Sequence, residues 1–193
     1  MENKKSKPSF AAVLMYVIIG ICLCAAAVFL GLYYTKVLYS TVILWLGIVS
    51  FTIMYHLWMR IIMGNATKLF RINYQNFWFR EKKFEKKMYK FLRVKRWKNK
   101  TLTYNPELYD INTRTPEEIA FTTAKSELDH IINVLIAFST VLFGLLWGMT
   151  WIFALTAFFA AIFDSQFIII QRYNRPRLVK LIEREKRKQV SKI

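Results

Sequence analysis

The sequence predicts an all-α integral membrane protein. Its four transmembrane helices flank a basic cytoplasmic amphipathic-helix region between spans two and three. Three observations carry this. The chain is 55% hydrophobic, and its apolar residues fall in runs at 10–32, 37–59, 131–147 and 150–170, close to or beyond the ~18 residues that mark a bilayer crossing. Lys36 is the only Asp, Glu, Lys or Arg between Phe10 and Met59. Finally, of 29 Lys and Arg residues, three lie in 1–9, fifteen in 64–127 and nine in 172–193. Four crossings with both termini in the cytoplasm place all three basic segments inside, the positive-inside pattern. The expectation is one multi-pass domain, 1–193, in the cell membrane.

The net charge of +17 would suggest nucleic acid in a soluble protein. Here topology and anionic lipid headgroups account for it, and no nucleic acid is expected as a partner. Cys22 and Cys24 are two apart in the first span, pointing ~200° apart on a helix, so they cannot pair with each other. They offer no zinc spacing, and with only two histidines a multi-histidine metal site is excluded. The first run continues through Leu32, too long for a cleaved signal core, and reads as a signal-anchor.

Taken in order, residues 1–9 form a polar basic tail, and spans one and two follow. The second closes in Tyr55-His56-Leu57-Trp58-Met59-Arg60, with His56 and Arg60 on one helical face. Phe77, Phe84, Met88 and Phe91 suit an amphipathic helix over 76–90 lying in the headgroup plane. Thr115-Pro116-Glu117-Glu118 is a capping box with proline at the first helical position. From there a continuous helix runs into the membrane, carrying Glu127 and His130 at the waterline. The apolar stretch Ile131–Ile170 should fold back near Gly148, bringing its two polar ends to one membrane face. Pro176 disfavours helix at Arg175, so the fourth helix should end near Asn174, followed by an interfacial basic helix to Lys192.

The candidate chemistry sits at those two ends. Glu127 and His130, three apart, can touch, and a carboxylate that orients an imidazole supports a general base; an ordinary surface ion pair would look the same. Asp129 is within reach of Lys125. Gln171, Arg172, Tyr173, Asn174, Arg175 and Arg177 close the hairpin, and three guanidiniums within six residues can grip phosphate, although basic residues flank every inward-facing span end. Asp164 is an intramembrane acid, costly and therefore a candidate for a functional site. No glycine-rich phosphate loop or nucleophile-elbow serine is present.

Phe84-Glu85-Lys86, Val94-Lys95-Arg96-Trp97-Lys98, Glu127-Leu128 with His130, and Ile168 through Leu178 fall in one order over roughly 70–180. Together they resemble the glycosyl-4,4′-diaponeurosporenoate acyltransferases. After Trp97-Lys98 the chain departs from that family's pattern. The resemblance implies transfer of a fatty acyl group to the sugar of a glycosylated carotenoid. His130 and Glu127 would then be catalytic. Arg172, Tyr173, Asn174, Arg175, Arg177, Gln171, Trp97, Lys98 and Asp164 would bind substrate. The donor would be acyl-CoA or another acyl donor acting as co-substrate, with no tightly bound cofactor and no metal. Partners would be membrane lipids, a lipid or glycolipid acceptor, and a second copy of the chain if it self-associates. The other reading is a non-catalytic lipid-binding scaffold or small subunit of an envelope complex.

Overall fold

A computed structural model describes residues 10–101, 103 and 105–191; the expected N-terminal tail lies outside them. Helices α1 (Phe10–Tyr34), α2 (Thr41–Ala66), α3 (Glu85–Phe91), α4 (Val94–Trp97), α5 (Pro116–Ser139), α6 (Gly144–Trp147) and α7 (Thr150–Val190) follow in order. Short 3₁₀ turns connect them, and there is no strand among the described residues. α1, α2, the α5–α6 unit from Pro116 to Trp147, and α7 are each long and apolar enough to cross a membrane.

α1 and α2 form an antiparallel pair joined by a turn in which Lys36 is left-handed (φ 62°). They cross closely: a Cβ on Gly47 would meet Leu30 Cδ2 at 2.7 Å. α5 and α7 pack along each other as the second pair. The chain reverses near Gly148, as expected, through two positive-φ residues, Gly148 (φ 66°) and Met149 (φ 52°). Gly144 lets that reversal close, since a Cβ there would lie 2.9 Å from Thr150 Cα.

The apolar core lies at this end of the bundle. Leu44, Ile48, Ile152 and Phe153 are buried beneath Phe143 and Trp147, with the Trp147 and Phe153 rings stacked at 5.7 Å. On the outside, Val13, Val17, Ile21 and Val28 of α1, Leu135 and Leu142 of the third span, and Leu155, Phe159 and Ile162 of α7 are exposed. A helix apolar on both its packed and its outer face has lipid as its solvent.

The capping box forms as the sequence expects: Thr115 Oγ1 accepts from the Glu118 N–H at 3.2 Å, and the Thr115 N–H donates to Glu118 Oε2 at 2.9 Å. Two expectations are corrected. α7 does not end at Asn174 but continues through Pro176 to Val190. Proline removes one ladder bond and disfavours helix before it, but the side chains of Arg172 and Arg175 are tied to other elements here and hold that turn in place. The single amphipathic helix over 76–90 is also absent. A 3₁₀ turn at Phe77–Phe79 and the seven-residue α3 replace it. The backbone between them meets its hydrogen-bonding demand by other means. The carbonyls of Trp78, Phe79 and Arg80 accept from Arg172 Nη1 at 3.3 Å, Arg175 Nη1 at 3.1 Å and Arg172 Nη2 at 3.4 Å.

Candidate active site

Two polar clusters lie along the α5–α7 interface, at the end of the bundle opposite the aromatic core. Asp164, Gln171 and Arg175 are seven and four residues apart, which puts them on one face of α7. All three are buried.

The first cluster is centred on Asp164, 1% exposed. Its Oδ1 lies 2.8 Å from His130 Nδ1 on α5. Its Oδ2 is 2.5 Å from Arg60 Nη2 on α2, and Arg60 Nε donates to Oδ1 at 3.3 Å. An isolated carboxylate in this setting would be prohibitively desolvated; the guanidinium neutralises it, and the guanidinium itself lies 5.0 Å over the Phe163 ring. Asp164 can then fix the Nδ1–H tautomer of His130, leaving Nε2 as the nitrogen able to accept a proton. Phe167 holds the imidazole plane, stacked at 4.6 Å with an interplanar angle of 6°. One turn before Arg60, His56 is also buried. Its Nε2 and the Oδ1 of Asn133 are buried without a hydrogen-bond partner among the described residues.

The second cluster is a pair of carboxylates and a pair of guanidiniums. Arg172 Nη1 reaches Glu127 Oε1 at 2.5 Å, while its Nε and Nη2 donate to Glu85 Oε1 at 2.9 and 2.6 Å. Arg175 Nη2 lies 2.6 Å from Glu127 Oε2. That contact is an ion pair rather than an aligned hydrogen bond, because Nη2 is turned to the Thr123 carbonyl at 3.0 Å. Tyr89 O–H donates to Glu85 Oε2 at 2.8 Å. Burial, then this bond to Glu85, pushes the Tyr89 phenol well above the ordinary tyrosine range. The cluster is electrically balanced and ties α3, α5 and α7 together.

This arrangement changes the partners that sequence spacing proposes. Glu127 does not face His130; it is taken by Arg172 and Arg175, and Asp164 stands in its place. Arg172 and Arg175 point at internal carboxylates rather than outward to a phosphate. Arg175, at 1% exposure, cannot meet a soluble ligand. Arg177 is exposed, 4.7 Å over the Tyr173 ring and donating to its hydroxyl at 2.8 Å. Lys98 joins that group, donating to Asn174 Oδ1 at 3.0 Å and lying 5.3 Å over Tyr173. Trp97 Nε1 donates to the Leu92 carbonyl at 2.9 Å. Gln171 Nε2 donates to Ser126 Oγ at 3.2 Å and to the Tyr109 hydroxyl at 3.3 Å. Lys125 and Asp129 pair at 3.0 Å, as their spacing suggests.

Sequence reasoning missed Arg60, Glu85, Tyr89 and Thr123. A signal existed for Arg60: a membrane-embedded Asp164 needs a cation, and Arg60 is the charge that closes span two. Nothing local pointed Glu85 at Arg172, 87 residues away.

No solved structure matches the chain. Among curated proteins, the glycosyl-4,4′-diaponeurosporenoate acyltransferase of Staphylococcus aureus strain Newman is 35% identical over 108 residues, which is 51% of this chain and 62% of that protein. Its counterpart in strain N315 is 34% identical over the same length. The chain thus matches less than two thirds of each relative. The family model for glycosyl-4,4′-diaponeurosporenoate acyltransferase matches residues 75–184, a stretch that contains Glu85, Glu127, His130, Asp164, Arg172 and Arg175. With more than half of the chain inside that match, the protein belongs to the glycosyl-4,4′-diaponeurosporenoate acyltransferase family.

Proposed function

We propose that the protein is a membrane acyltransferase that moves a fatty acyl group onto a hydroxyl of a glycosylated lipid or carotenoid. The family supports the reaction class. The observation that carries the chemistry is the 2.8 Å contact between His130 Nδ1 and Asp164 Oδ1. In this reading His130 Nε2 takes the proton of the acceptor hydroxyl as its oxygen attacks the acyl carbonyl. The same nitrogen returns the proton to the leaving group of acyl-CoA or another acyl donor. Asp164 orients the ring and faces the charge that develops on it, and Arg60 pairs with Asp164 from α2. The exposed apolar flanks of α5 and α7, with Phe159 and Phe163, receive lipid chains. The basic segments and both termini face the cytoplasm.

Replacing His130 with Gln, confirming membrane insertion, and comparing lipid extracts with those of wild type tests this. Removing a general base should lower product by roughly 10²–10⁴-fold. An acylated product at wild-type level would remove His130 from the mechanism.

One observation favours the second reading, a lipid-binding scaffold: two of the three arginines expected to grip a donor are committed to Glu85 and Glu127. A lipid profile unchanged by deleting the whole gene, together with a partner protein that co-purifies in mild detergent, would select it.

A further inference from the structure

A cleft of about 590 Å³ opens between α3–α4 and the post-membrane turns of α7. Lys90, Arg93, Lys95 and Arg96 line one side, and Arg177 and Lys180 the other. The one carboxylate on its wall, Glu81, pairs with Lys86 at 3.7 Å. The six cations named first have no carboxylate in ion-pair range among the described residues, and like charges converge on one space. The Lys98 ammonium beside the cleft is held below the ordinary lysine range by burial and then by the Arg177 charge.

The backbone adds an independent observation. Arg93, between α3 and α4, is left-handed (φ 50°, ψ 40°). Glycine takes that conformation freely, whereas a side chain there is strained. An arginine occupies the position, and it lines the cleft. Strain held at such a point is characteristic of a ligand site.

We infer that this cleft binds a phosphate-bearing anion carrying at least two negative charges, either a lipid headgroup at the cytoplasmic surface or a soluble pyrophosphate compound. The chemistry follows from the lining. Guanidiniums can grip phosphate oxygens bidentately, and lysines supply point charge. The volume is that of a small-molecule pocket. The cleft stands apart from the His130–Asp164 pair. Asp164 and Arg177 are thirteen positions apart on one continuous helix, roughly 20 Å along the axis and about 140° around it. Its ligand therefore sits away from that pair, and the inference holds whether or not the protein transfers acyl groups.

The experiment uses the full chain in nanodiscs. In neutral phosphatidylcholine discs, pyrophosphate and ADP are titrated calorimetrically. In a parallel arm, cardiolipin, whose headgroup carries two phosphates, is added to the discs and thermal stabilisation is read. Saturable binding in the first arm assigns a soluble ligand, and stabilisation restricted to the second assigns a headgroup. Arg93→Gly with Arg96→Gln should weaken whichever response occurs at least tenfold. Arg93→Gly relieves the left-handed strain, so the ligand-free melting temperature should not fall through that change. If the double variant is unstable, Lys95→Gln with Lys180→Gln, both exposed, replaces it with the same expectation. No saturable response in either arm, or an unchanged one in the folded variants, overturns the inference.

Discussion

Arg175 and Glu127, 1% and 0% exposed, form an ion pair at 2.6 Å between α7 and α5, and Arg172 joins the same carboxylate from one turn away. Removing one member of a buried pair leaves the other charge uncompensated, at a cost of about 3–5 kcal/mol. Glu127→Gln is therefore expected to lower the detergent melting temperature sharply. The double change Glu127→Gln, Arg175→Met should be milder than the sum of the two single changes. Additive effects in a thermal double-mutant cycle would contradict the pairing.

Asp164→Asn tests a different kind of dependence. An amide keeps the shape but can neither balance Arg60 nor stabilise a protonated His130. Acylated product should fall by roughly the 10²–10⁴-fold expected for loss of a supported general base, while the protein still inserts into the membrane. Product at wild-type level in lipid extracts would separate Asp164 from the chemistry.

Tyr89→Phe deletes the donor to Glu85 Oε2 and should destabilise the protein by about 1–3 kcal/mol, the cost of stranding a buried acceptor. The wild type adds a pH signature. Because the fold raises the Tyr89 pKa, its contribution is fully present below the unfolded value near 10 and is lost as pH rises through the still higher folded value. Alkaline titration followed by tyrosinate absorbance should therefore show the same number of tyrosines ionising before unfolding in the wild type and in Tyr89→Phe, with the wild type's additional tyrosine appearing only on unfolding. Ionisation of Tyr89 near pH 10 in the folded protein would rule this out.

Gly148 has φ 66° and ψ −151°, a region essentially reserved for glycine. Gly148→Ala should cost about 1–3 kcal/mol through backbone strain alone, since a Cβ there meets nothing within 4 Å. Gly144→Ala should be comparably harmful for the opposite reason, a collision with Thr150. Melting temperatures of both variants check this, and a neutral Gly148→Ala would show that the reversal tolerates another conformation.

The four long helices were legible because run length and absence of charge are local properties that need no knowledge of neighbours. The capping box at Thr115 was legible for the same reason. Asp164 stood out because its cost in a membrane is intrinsic. Its partners did not, because i,i+3 spacing shows which residues on α5 share a face but not the register of α5 against α7. Glu127 and His130 do share a face, yet each meets a different turn of α7. The roles of Arg172 and Arg175 were hidden similarly. An arginine at a span end looks alike whether it meets water, a headgroup or a carboxylate from 87 residues earlier. Pro176 shows a local preference overruled by anchoring from other elements.

The unbroken α7 has a mechanical consequence. Its 41 residues make a rod of about 60 Å, twice the roughly 30 Å hydrocarbon core. No loop intervenes between the span and the basic tail, so the tail, about 25 Å long, is one arm of a lever. Its fulcrum is the turn where Arg172 and Arg175 clasp Glu85 and Glu127. A load applied near Lys186 would be felt as torque on those ion pairs before any joint could absorb it.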